Sequence, residues 1–221
     1  MVEVVRNRET EPISRLAALD DGALVDRLLA RDEAAFVALV ERYHPSLVRL
    51  ALTYVSSAAV AEEVAQETWV GVLKGLAAFE RRSMLKTWIF RILTNRAKTR
   101  GVREGRTVPF SALGDNTDDE REPAVDPERF DVKGMWALPP SVSGGDPEAL
   151  LERREAMTAL QAAIDALPAA QRAVVILRDL EGVDAPEACN ILEISETNQR
   201  VLLHRARSRL RRALEPYVQG P

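Results

Sequence analysis

Residues 184–214 read DAPEACNILEISETNQRVLLHRARSRLRRAL, and this stretch decides the fold. Its chemistry writes two helices with a short break between them. Asp184 is placed to cap the first: its carboxylate can accept an otherwise orphaned backbone N–H. Glu187, three residues on, gives a capping-box spacing, and Pro186 is tolerated in a first turn. Ala188, Ile191 and Leu192 form an apolar stripe, the turn falls at Glu193 and Ile194, and Ser195 caps the second helix. At 100° per residue, Leu203, Ala206, Leu210, Ala213 and Leu214 share one face of that second helix. Val201, Arg205, Ser208 and Arg212 lie roughly opposite, flanked by Arg200, His204, Arg207 and Arg211. An apolar back and a cationic front suit a helix laid in the major groove of DNA, where arginine reads guanine edges and grips phosphates. The same pattern also fits a basic helix that is merely solvated.

Upstream of it, PEALLERREAMTALQAAIDALP (147–168) repeats Leu150, Met157, Leu160, Ile164 and Leu167 at helical spacing and stops at Pro168. Residues 170–180, with Val174, Val175 and Leu177, form another helix, so a four-helix DNA-binding domain is expected over 148–216. At this point the residues carry a resemblance. Residues 180–212, above all the HRAR of His204–Arg207, resemble the C-terminal promoter-reading domain of bacterial sigma factors of the extracytoplasmic-function group. ALPAAQRAVVILRDLEGVDAPEAC (166–189) is similar to the family's lead into that motif. The resemblance implies that Thr197, Asn198, Arg200, Val201, His204 and Arg205 meet the minus-thirty-five promoter element. Two departures stand out. Glu193 occupies a turn position often held by glycine, where a left-handed backbone costs about 1 kcal/mol. Val201 and Leu202 replace a small polar residue and a base, which bears on which bases are read.

The N-terminal half is also helical in pattern. Residues 1–19 are a polar lead-in. Asp20 or Asp21 can cap a helix containing Leu24, Leu28 and Leu29. A helix over 32–43 repeats Phe36, Leu39, Val40 and Tyr43, Pro45 marks a break, and 47–54 continues helically. In the helix over 58–79, Ala61, Ala65, Trp69, Val72 and Leu76 face inward. Glu62, Glu63, Gln66 and Glu67 occupy the other side, as a solvated acidic face would. The string VAEEVAQETWVGVLKGL nevertheless resembles the sigma helix that docks on the clamp coiled coil of RNA polymerase, and the resemblance implies that this polar face meets polymerase.

Residues 79–106 read FERRSMLKTWIFRILTNRAKTRGVREGR. Residues 80–84 form a short loop, and 85–98 a helix with Leu85, Trp88, Ile89, Ile92 and Leu93 on its apolar side. Arg91, Asn95, Lys98 and Arg100 supply a cationic side, and cations beside an aromatic suit single-stranded DNA. Trp88 reads mainly as core, with an edge toward that side. The pattern LKTWIFRILTNRAK is the strongest match in the chain, to the sigma segment that recognises and melts the minus-ten element. The resemblance implies that Arg81, Arg82, Ser83 and Met84 form a pocket for an extruded non-template base, since unstacking a base costs a few kcal/mol that a pocket must offset. It also implies minus-ten contacts from Lys86, Thr87, Trp88, Arg91, Asn95 and Arg96, and from Lys98 and Arg100.

The chain has 221 residues and a net charge of −4, but the charge is segregated. Residues 91–106 hold six Lys or Arg against one acid, whereas 115–122 hold five acids against one Arg. Local basic patches, not the total, set nucleic-acid binding. Residues 101–147 are rich in Pro, Gly, Ser and acids, which breaks the helical pattern and marks a flexible acidic linker over 104–147. It reads equally as a passive tether or, by resemblance, as a segment threaded through polymerase. Met135, Trp136 and Leu138 form a small apolar island within it. Cys189 is expected to be a small core residue. Two histidines, His44 and His204, allow no metal-ligand cluster, and no cofactor is expected. No apolar run approaches the ~20 residues of a membrane span, so a cytoplasmic protein is expected.

An all-α architecture follows, of two small helical domains (20–103 and 148–216) joined by the linker. An enzyme is disfavoured, because no phosphate-cradling Gly-rich loop and no convincing catalytic set is present. A stand-alone helix-turn-helix regulator explains 183–214 but leaves 79–106 unexplained. The resemblance implies a promoter-specificity subunit whose partners are core RNA polymerase, promoter DNA and an anti-sigma factor.

Overall fold

The structure is a computed structural model that describes residues 21–106 and 147–218, with side chains from 154 to 215 in the second segment. Its contacts divide the chain into two compact units at Arg106–Thr107. Every regular element among the described residues is helical. The N-terminal lead-in, the linker with its Met135–Trp136–Leu138 island and the side chain of Leu150 lie outside the described residues.

In the first unit, α1 (Asp21–Leu29) buries Leu24, Val25 and Leu28 and packs on α2 (Glu33–Ala51). Leu29 is turned outward. Asp32 caps α2, accepting the N–H groups of Ala34 at 3.0 Å and Ala35 at 3.2 Å. Arg27 Nε donates to its other oxygen at 2.7 Å. That guanidinium bond, ahead of the two backbone N–H bonds and against burial, holds the Asp32 carboxyl below its ordinary value.

Pro45 does not break α2, which runs through it. Proline removes one N–H, but Pro45 is exposed, so the carbonyl left without that donor is on the wet side. Tyr43, Ser46, Leu47 and Leu50 are buried and keep the two halves in line. α3 (Ala58–Gly75) is capped by Ser57 and buries Ala61, Ala65, Trp69 and Val72. It stops short of the expected boundary, giving way to a 3₁₀ turn (Leu76–Ala78).

α4 (Leu85–Arg103) is five residues longer than the sequence pattern suggests, and Gly101 lies within it. A Cβ there would come within 2.5 Å of the Tyr54 carbonyl oxygen. Gly101 is therefore a close-approach residue, not a helix breaker. Beyond α4, Glu104 accepts from Ser56 N at 3.0 Å and Oγ at 2.7 Å, and Arg106 donates to the Val55 carbonyl. α2, α3 and α4 enclose the core, with Leu39, Leu47, Leu50, Leu85, Ile89, Phe90 and Leu93 essentially inaccessible.

The second unit holds α5 (Pro147–Ala166), α6 (Ala169–Val175), a π turn (Ile176–Leu180), α7 (Ala185–Leu192) and α8 (Glu196–Val218). α8 packs against α5, α6 and α7. Met157 is 60 % exposed, so the apolar stripe expected on α5 reaches the core at Ile164 and Leu167 but not at Met157.

Candidate nucleic-acid interface

In the α7–α8 hairpin, Asp184 Oδ1 accepts the Glu187 N–H at 2.8 Å and Ser195 Oγ accepts the Asn198 N–H at 3.2 Å. Glu193 joins the helices in the left-handed region at φ 60° and ψ 47°. This is the conformation that glycine adopts more cheaply. Ala188, Ile191 and Leu192 of α7 and Leu202, Leu203, Ala206 and Leu210 of α8 are buried. Thr197, Arg200, Val201 and His204 are exposed on α8, with Asn198 and Arg205 half-buried beside them. Arg200 is 3.6 Å from Glu196 one turn back, a solvent-exposed pair of small energy.

Two residues of this helix depart from the sequence reading. Arg207 is not part of the cationic front. It is 7 % exposed and grips Asp179 of the π turn through Nε at 3.0 Å and Nη2 at 2.5 Å. Its position explains this: Arg207 follows Leu203 by four and precedes Leu210 by three, so it belongs to the apolar stripe. An arginine on such a stripe was the available signal for a buried ion pair. Ala213, expected inward, is exposed. Cys189 is half-buried, and burial, with Glu196 adding to it, pushes its thiol above the ordinary value of 9.0.

In the first unit, residues 80–84 form an exposed loop before α4. Arg81 holds a left-handed φ of 56° and is paired with Asp26. Arg82 Nε is 2.7 Å from Glu80, and Ser83 and Met84 are open to solvent. Trp88 is half-buried, tilted against Phe79 at 4.8 Å between ring centres, with Gly75 leaving room for its outer edge. Lys86 reaches over the Tyr43 and Phe90 rings. Arg91 and Asn95 are exposed, and Lys98 is half-buried. Thr87, also expected to meet DNA, is only 4 % exposed. It precedes Phe90 by three and Thr94 by seven, which puts it on the buried flank of α4.

Arg96 and Arg100 lie against α3. Arg100 Nη2 is 2.9 Å from Glu63 and Arg96 Nη1 is 3.5 Å from Glu67. A shallow groove lined by Glu67, Asn95, Arg96, Thr99, Arg100 and Arg103 runs along this seam. The acids read as a polymerase face and the cations read as a DNA face therefore share a border. Glu62 is engaged differently. Trp69 Nε1 donates to His44 Nδ1 at 3.1 Å, which leaves His44 Nε2–H to donate to Glu62 at 3.0 Å. Gln66 also reaches Glu62, at 3.2 Å. Val70 and Leu73 are 50 % and 54 % exposed on the outer side of α3, which the sequence reading missed. Their signal was present, as apolar residues three and six positions after Glu67.

Among the described residues no group of acids, histidines and cysteine is arranged to hold a metal, and no helix is long and apolar enough to cross a membrane. Residues 39–107 match the family model described as Sigma-70 region 2, and residues 157–210 match Sigma-70, region 4. The RNA polymerase sigma-H factor of Pseudomonas aeruginosa is 30 % identical over 199 residues, covering 90 % of this chain and 96 % of that protein. The ECF RNA polymerase sigma-E factor of Escherichia coli is 30 % identical over 201 residues, 91 % of this chain and 97 % of its own. Two solved structures share the fold, each at a TM-score of 0.52. One is CnrH in complex with the cytosolic domain of CnrY, 20 % identical over 89 % of this chain and 97 % of that one. The other is the sigma factor RpoE with the anti-sigma factor NepR from Bartonella quintana, 23 % identical over 81 % of this chain and 96 % of that one. With both halves matched and relatives aligned almost end to end, the chain belongs to the extracytoplasmic-function (ECF) group of the sigma-70 family of RNA polymerase sigma factors.

Proposed function

We propose that this chain binds core RNA polymerase and directs promoter-specific initiation through two separate DNA contacts. The first unit, sigma domain 2, opens the minus-ten element with the loop 80–84 and the outer face of α4. The second, sigma domain 4, reads the minus-thirty-five duplex with α8. The observation that carries the reading is the capped α7–α8 hairpin, which presents Thr197, Arg200, Val201 and His204 outward from a buried, mostly apolar back. A helix N-terminus so exposed can enter a major groove, with Arg205 at its flank for a guanine or a phosphate.

Polymerase would dock on α3, where Glu63, Gln66 and Glu67 surround the exposed Val70 and Leu73. An aliphatic centre with a polar rim is the usual anatomy of a protein interface. RNA synthesis belongs to polymerase, and this chain supplies specificity. An anti-sigma factor is a further expected partner, as NepR is for one of the two fold relatives, and the cytoplasm is the expected site of action. Reconstituted transcription tests the whole reading. Core polymerase plus this chain should initiate at discrete promoters of its own genome. Absence of any promoter-specific transcript would return the chain to a stand-alone regulator.

A further inference from the structure

The loop 80–84 is held at both shoulders by carboxylates of α1. Met84 stands at the N-cap position of α4 but offers no side-chain cap. Asp21 supplies it from elsewhere in the unit, its Oδ2 accepting the Leu85 N–H at 2.7 Å. A carboxylate there also meets the positive end of the helix dipole. At the other shoulder, Asp26 pairs with Arg81, the loop residue that sits in the left-handed region at φ 56°. Such a backbone persists only when its surroundings over-determine it.

α1 can act as a fixed post because it is itself anchored. Leu24, Val25 and Leu28 are buried, and α1 packs against α2 and against the 3₁₀ turn that leads into the loop. Arg27 ties its C-terminal end to the Asp32 cap of α2 at 2.7 Å. The family match begins at residue 39, so α1 lies outside the segment recognised as region 2.

We infer that α1 is a positioning element for base selection, with Asp21 and Asp26 holding the loop in its receptive shape and turning Arg81 away from the nucleic acid. This rests on the reading of the loop as the minus-ten pocket. With Arg81 engaged by Asp26, the groups left facing outward are Arg82, whose pair with Glu80 is itself open to solvent, Ser83 and Met84. Selection in this chain then comes from a guanidinium, a small hydroxyl and a thioether on a pre-shaped loop. A loop already held in one shape discriminates better, because it cannot re-pack around the wrong base.

The test uses the full chain bound to core polymerase and single-stranded non-template oligonucleotides that differ only at the extruded base. Asp21→Ala and Asp26→Ala should each flatten the preference among the four bases by about tenfold. Affinity for core polymerase and for minus-thirty-five duplex should stay unchanged. Asp21→Asn keeps a cap acceptor and should retain the preference, and the exchange Asp26→Arg with Arg81→Asp should restore it. Amide exchange gives an independent readout: the Leu85 N–H should exchange faster in Asp21→Ala and not in Asp21→Asn. Undiminished base preference in both alanine variants overturns the inference, as does a loss that tracks core affinity or melting temperature. If the wild-type complex shows no base preference while still initiating at promoters, the pocket assignment fails. If it does not initiate at all, the sigma reading fails instead.

Discussion

Glu193 carries a glycine's backbone with a glutamate's Cβ. Glu193→Gly should raise the stability of the second unit by about 0.5–1 kcal/mol, since it removes left-handed strain and returns part of the gain as chain entropy. Urea unfolding followed by circular dichroism would show it. Asp32 makes a pH prediction. Its folded carboxyl lies below the ordinary 3.8, so its contribution is fully present above that value and is lost as pH falls through the lower folded value. The stability difference between wild type and Asp32→Asn should therefore be constant from pH 7 to about 5 and shrink toward pH 3. Arg205→Ala should weaken minus-thirty-five binding by about 1–3 kcal/mol, on cognate sequence alone if the contact is to a base edge and on all sequences if it is to phosphate.

At the scale of elements, what was legible in the sequence is what depends on neighbours along the chain. The caps at Asp184 and Ser195, the turn at Glu193 and the inward stripe of α3 are local chemistry, and a one-dimensional string records them. Pro45, Gly101 and Arg207 misled for the opposite reason. Each is decided by something distant in sequence: the solvent side of α2, the Tyr54 carbonyl and the Asp179 carboxylate. The ion pairs from Glu63 and Glu67 to Arg100 and Arg96 were equally invisible, because they join two helices whose azimuths only packing sets. The Asp179–Arg207 fork should behave as a buried pair. Arg207→Ala should cost roughly 3 kcal/mol by stranding Asp179, whereas replacing both with apolar residues of similar size should cost far less. A double-mutant cycle on thermal unfolding checks this. Of the candidate site, the position of α8 and of the loop 80–84 could be read in advance. The withdrawal of Thr87 into the core could not, since threonine is equally at home on either flank of a helix.

Across the whole molecule, polymerase and promoter binding should be separable. Val70→Asp or Leu73→Asp should reduce affinity for core polymerase by at least about tenfold while stability moves within about 0.5 kcal/mol, both side chains being half exposed. Pull-down with core enzyme beside a melting curve decides it. Arg91→Ala should instead weaken DNA binding alike on all sequences and lower the salt slope by about 1, the mark of a phosphate contact. The end of the first unit has a mechanical consequence. Glu104 is clasped to Ser56, and Arg106 is fastened to the Val55 carbonyl, at the last residues before the chain leaves for the second unit. Tension along the connecting segment, when the two units sit on promoter boxes of imperfect spacing, would be taken up at that clasp. The loop 80–84 at the other end of α4 would be spared, much as a cord grip shields the wiring behind it.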